Sequence, residues 1–140
     1  MPNIREISVF LGRTNLTDDP VVRVAFNMDF SAKERSNGKG FLMHIILIDV
    51  NGGIDEFRIG ASGIYRRSNV DGKDHIIGEI YRDVIHPQEY SMRVDKTRAW
   101  DFGTLDEGVE EFRTLISLIP RDWEHTPALA LSGPVRIDLG

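Results

Sequence analysis

The chain has 140 residues, of which 41% are hydrophobic and 28% charged, with a formal net charge of −5 and no cysteine. That length fits one domain, and the composition excludes wholesale disorder. The absence of cysteine excludes a disulfide framework, a thiol nucleophile and a thiolate metal site.

Residues Met1 to Glu6 show no basic region followed by an apolar run, so a cytoplasmic location is expected. Ile7, Val9 and Leu11 alternate with Glu6 and Ser8, a period of two that predicts a strand; Phe10 breaks the pattern. Val22, Val24, Phe26, Met28 and Phe30 alternate with Arg23, Ala25, Asn27 and Asp29. Here the expectation is specific: Val24, Phe26 and Met28 inward, Arg23, Asn27 and Asp29 outward. Ser31 to Gly40 reads as a loop within the domain.

Phe41 to Ile48 is apolar except for His44, which predicts a central strand covered on both faces. Asn51-Gly52 follows it and reads as a hairpin turn. Phe57–Arg67 and His75–Ile85 are β-rich and flank an Asp71-Gly72 turn. Within the first of these, Gly60-Ala61-Ser62-Gly63 reads as a kink or bulge. Tyr90, Met92 and Val94 alternate again, as do Val135, Ile137 and Leu139.

The segment 106–119 carries both periods. Val109, Phe112, Leu115, Ile116 and Ile119 have helical spacing, with Asp106 as an N-cap; Phe112, Thr114, Ile116 and Leu118 alternate. The strand is favoured, because the neighbouring strands need a partner. Together these elements predict an all-β fold: one antiparallel β-sandwich of about seven to nine strands over residues 1–140, with at most one short helix, near 106–119.

The C-terminal third resembles the end of an immunoglobulin-like sandwich. Leu105-Asp106-Glu107-Gly108 precedes an apolar strand opening at Phe112, a proline-bearing loop follows, and Val135–Leu139 forms the last strand. Phe112 stands where that class has a corner tyrosine, no cysteine pair is present, and neither Trp100 nor Trp123 lies on Phe41–Asp49. The resemblance spans residues 105–139 and implies a fold, not an activity.

Chemistry-bearing patterns are sparse. His44, His75, His86 and His125 make no helical zinc pair. Asp49-Val50-Asn51-Gly52-Gly53 starts like a calcium loop, but Gly53 and Gly60 stand where the fifth and twelfth ligands belong. No metal and no cofactor are expected. The net negative charge lies in residues 101–125, where seven acidic residues face Arg113 and Arg121, so a nucleic-acid partner is not expected. The longest apolar run is too short for a membrane span, and no membrane partner is expected.

His44 is the histidine to watch, since burial would leave its ring nitrogens in need of partners. Trp100 and Phe102, two large rings beside Asp101 and Gly103, are candidate contact residues, and Tyr65 and Tyr81 are candidates for lining a cleft. The resulting expectation is a non-catalytic binding or assembly module whose partner is a protein or itself. One route is a homodimer through Val135–Leu139, with Arg136 of one copy opposite Asp138 of the other. The alternative is a small-molecule-binding β-barrel or small enzyme with a pocket near His44.

Overall fold

A computed structural model describes residues 1–12, 20–49, 57–66, 75–99, 109–122, 126–133 and 135–138. Ten strands and one helical turn are present in these segments. They are β1 (Asn3–Gly12), β2 (Val21–Asp29), α1 (Ala32–Arg35), β3 (Phe41–Asp49), β4 (Phe57–Gly60) and β5 (Gly63–Arg66). There follow β6 (His75–Ile85), β7 (Ser91–Ala99), β8 (Val109–Pro120), β9 (Ala128–Leu131) and β10 (Val135–Asp138). All pairings are antiparallel. The fold class is that of an all-β sandwich, and its sheets are separate rather than closed into a barrel.

The smaller sheet has the order β1-β2-β7. In the larger one β3 lies between β6 and β8, and β9 and β10 pair with successive parts of the far side of β8. Across the interface β1 lies against β9 and β10, while β7 lies against β6. Between the sheets sits the main core, built from Val22, Val24, Phe26 and Met28 of β2, Phe41, Met43, Ile45 and Leu47 of β3, and Ile116 and Leu118 of β8. Val24 and Phe26 are fully buried and Met28 nearly so, whereas Arg23 is exposed and Asn27 and Asp29 are half-buried, as the alternation predicts.

The other face of β3 is buried as well. The β4–β5 hairpin forms a third layer, and its Phe57 and Ile64 pack on Ile46, Ile48 and Leu115. β3 is therefore apolar on both faces because both are covered.

Several expectations are corrected. Residues 109–120 form the strand that the alternation favours, and the one short helix is instead α1, inside the segment read as a loop. Its signal is a capping box: Ser31 Oγ accepts from the Glu34 N–H at 3.1 Å, and Glu34 Oε1 accepts from the Ser31 N–H at 2.9 Å. Phe57–Arg67, read as one β-rich segment, is two strands around a tight turn. Gly60-Ala61-Ser62-Gly63 is thus a hairpin turn, not a kink. The Asn51-Gly52 and Asp71-Gly72 turns lie outside the described residues; among the described strands β3 pairs with β6 and β8, and β5 does not pair with β6. Tyr90 stands just outside β7 and is exposed.

Candidate functional site

Two places concentrate polar side chains. The first centres on His44, which points away from the main core toward the hairpin. Its ring is buried, with 2% of the residue exposed. On one side Nδ1 accepts a hydrogen bond from the backbone N–H of Ile64 on β5, at 2.9 Å. On the other, Nε2 lies 2.8 Å from Glu79 Oε1 on β6. A backbone N–H can only donate, so Nδ1 carries no proton and Nε2 does. The ring is the neutral Nε2–H form, donating to the Glu79 carboxylate.

Arg82 completes the cluster. It ion-pairs with Glu79 and donates to the Ser62 carbonyl in the hairpin turn. Its Nη2 stands 3.4 Å from His44 Nε2, a positive charge beside the neutral ring. Burial lowers the His44 pKa first, and Arg82 lowers it further; Glu79 opposes both. The Glu79 carboxyl is itself held below its ordinary value by Arg82 and His44, against a desolvation cost.

β6 reaches this arrangement through a bulge. In a regular strand Glu79 and Arg82, three residues apart, would point to opposite faces. The β3–β6 register shifts between Ile45 and Ile46, pairing Ile45 with Tyr81 and Ile46 with Glu79. Ile80 is the extra residue, and past it Arg82 returns to the face that holds Glu79 and His44. Gly63 permits the close approach from above. Its φ is +127°, and a Cβ there would stand 2.4 Å from His44 Nδ1.

The cluster has no free reactive group on His44. Both ring nitrogens are committed, and the Ser117 hydroxyl, across the β3–β8 ladder, donates to the His44 carbonyl at 3.3 Å. A general base needs an open lone pair facing its substrate. Nor does the structure gather the residues singled out from sequence. Tyr81 points into the main core interface, where Lys96 Nζ sits 4.3 Å from its ring centroid, a cation–π contact. Tyr65 is exposed on the hairpin. Trp100 and Phe102 lie outside the described residues, as do Trp123, His125 and four of the seven acidic residues of 101–125. Among the described residues no group of three His, Asp or Glu side chains is placed to hold a metal ion.

The second place is the outer face of the β1-β2-β7 sheet. Phe10 points outward there, 45% exposed, opposite Arg23. With Val21, Arg23, Asp95 and Thr97 it lines a depression of about 740 Å³. Arg23 grips Asp95 through Nε at 2.8 Å and through Nη2, and this pairing lowers the Asp95 pKa. At the other end Arg5 makes the same two-pronged contact with Asp29, at 2.8 and 3.2 Å. Hydrogen bonding by Arg5 brings the Asp29 pKa down to about 2. Between the two pairs Asn27 donates to Glu6, whose φ of +56° marks a bulge in β1 between Arg5 and Ser8.

In the sequence Phe10 shows only as a break in alternation, and the two Arg–Asp pairs are cross-strand neighbours that no local spacing reveals. Compared with protein-family models, curated proteins and solved structures, the chain matches none. Among the described residues no helix is long and apolar enough to cross a membrane.

Proposed function

We propose that the chain is a non-catalytic binding or assembly module that engages a protein partner through the outer face of the β1-β2-β7 sheet. The observation that carries this reading is Phe10, a large ring left half in water beside a depression bounded by the Arg23–Asp95 pair. An aromatic anchor framed by charged groups is the usual anatomy of a binding hot spot and its rim.

The sheet edges favour a face over an edge as the contact. β1 carries the bulge at Glu6, β6 carries two register shifts, and β7 is crowded with Arg93, Asp95, Lys96 and Arg98. Bulges and charges are the devices that discourage edge pairing. Self-association through β10 is the competing form of the same proposal. In the chain's own sheet Arg136 already lies opposite Glu111, leaving only the outer edge of a four-residue strand for a second copy. The enzyme alternative near His44 draws no support from the ring, whose two nitrogens are both engaged. A cytoplasmic setting and an immunoglobulin-like class belong to the same proposal.

The test places a photo-crosslinking residue at position 10 and, separately, at position 136, in chains expressed in their native cell. Adducts at position 10 that vanish with Arg23→Ala support the face. Adducts of dimer mass at position 136 alone overturn it in favour of β10. No adduct at either position overturns both.

A further inference from the structure

We propose that His44 is a protonation-sensitive latch: as the neutral ring it holds the β4–β5 hairpin onto the larger sheet, and taking up a proton releases the hairpin. This goes beyond the binding face and stands independently of it.

The hairpin is paired with neither sheet. β4 and β5 hydrogen-bond to each other and form a two-stranded unit of their own. An isolated two-stranded hairpin is marginal in water, so its position depends on what holds it down. Several contacts do so among the described residues. Phe57 and Ile64 bury against Ile46, Ile48 and Leu115; the Ile64 N–H donates to His44 Nδ1; and the Ser62 carbonyl accepts from Arg82. The His44 contact is the one that changes sign with a proton. A protonated imidazole carries N–H groups at both nitrogens, so Nδ1–H would face the Ile64 N–H, donor against donor, at a distance of 2.9 Å. Both groups are buried, and neither has room for water to intervene without lifting the strand.

Charged neighbours have been placed on one side only. From β6, Glu79 accepts from the ring and Arg82 opposes its charging; from β8 the facing residue is Ser117, which does not titrate; from β5 they are Gly63 and Ile64. Glu79 tolerates a cationic ring, but on the Nε2 side, so it cannot relieve the clash at Nδ1. The result is a ring stable in one tautomer and one charge state. Consistent with this, burial and Arg82 hold the His44 pKa below the ordinary 6.5.

The sign follows from linkage. The open form, with the ring in water, binds the proton more tightly than the latched form. Above the ordinary pKa both forms are neutral and latching is at full strength. As pH falls below 6.5 the open form gains, until the lower latched pKa is reached. Uptake of one proton makes the opening constant grow by up to about tenfold per pH unit in that window.

The experiment is hydrogen exchange of individual backbone amides by NMR, from about pH 7.5 down to about pH 5, the range over which histidine titrates, corrected for intrinsic rates. The expected result is that Ile64 loses protection toward acid while Val24 and Phe26 of β2 keep theirs. In His44→Gln, whose amide can accept from Ile64 and donate to Glu79 without titrating, Ile64 protection is expected to be flat over the same range. Flat Ile64 protection in the unaltered chain overturns the proposal, as does simultaneous loss at Ile64 and Phe26, which is global unfolding. Should the variant fail to fold, ring nitrogen shifts of the unaltered chain decide. An unprotonated Nδ1 whose titration coincides with Ile64 exposure supports the latch, and a protonated Nδ1 at neutral pH refutes it.

Discussion

Gly63→Ala is the perturbation that most directly interrogates the three-layer arrangement. The added methyl would lie 2.4 Å from His44 Nδ1 and 2.9 Å from Cε1, inside any tolerable contact, and the backbone φ of +127° is itself unfavourable for a residue with a Cβ. Neither atom can yield cheaply, because the ring is fixed by Ile64 on one side and Glu79 on the other. Backbone strain of about 1–3 kcal/mol adds to the loss of a buried hydrogen bond of about 1 kcal/mol, for a total of about 2–4 kcal/mol. The variant has an escape, however. It can let the hairpin detach, and the cost to global stability then stops at the free energy of docking the hairpin. Two readouts are therefore needed: the urea midpoint, and protection of the Ile64 amide. Gly38→Ala is the matched control, since nothing lies within 4 Å of its added carbon and its φ is not in the glycine-favouring region. It should fall between neutral and a gain of about 1 kcal/mol. If Gly63→Ala matched Gly38→Ala in both midpoint and Ile64 protection, the close packing of hairpin on histidine would be refuted.

Two further predictions address the smaller sheet. Phe26→Ala, at a fully buried position in the main core, should cost about 3–5 kcal/mol in urea unfolding, while the neighbouring Asn27→Ala should cost about 0.5 kcal/mol or less; equal costs would show that the faces of β2 are misassigned. Carboxyl NMR should place the Asp29 midpoint near 2, and Arg5→Gln should return it toward 3.8. Because the folded value is depressed, the stabilisation from this pair is complete at neutral pH and is lost as pH falls from about 4 toward 2.

β2 was legible because it has one buried face and a period of two. β3 was legible by the opposite sign, the lack of alternation, which reflects its two covered faces. β8 shows where the local signal ends. Its apolar residues satisfy both periods, and what selects the strand is tertiary: β3 on one side, β9 and β10 on the other. Turn chemistry misled at the β4–β5 hairpin: Ala61-Ser62 lacks the Asn-Gly composition, yet closes it because Gly63 supplies the positive φ instead. The Ser31–Glu34 capping box was in plain sight but spans one turn only, too short for a hydrophobic period to flag.

The His44 cluster was half legible, and the missing half has a structural cause. A lone polar residue in the most apolar strand announces that something must satisfy it, which is why His44 stood out. Its partners cannot be found by counting. In a strand the residues on one face are two or four apart, whereas Glu79 and Arg82 are three apart and share a face only because Ile80 is bulged. The same bulge sends Tyr81 inward to Lys96 and away from His44, undoing the histidine–tyrosine pairing that simple alternation across the ladder would have allowed. One inserted residue thus decides two things: which side chains meet the histidine, and that those side chains are a carboxylate and a guanidinium that tie down a hairpin turn rather than rings that line a pocket. Restoring regular pairing there would put Arg82 and Glu79 on opposite faces. The Ser62 carbonyl and the His44 Nε2–H would then not both have their partners on the face beneath the hairpin, and the third layer would rest on the apolar contacts of Phe57 and Ile64 and the single Ile64–His44 bond.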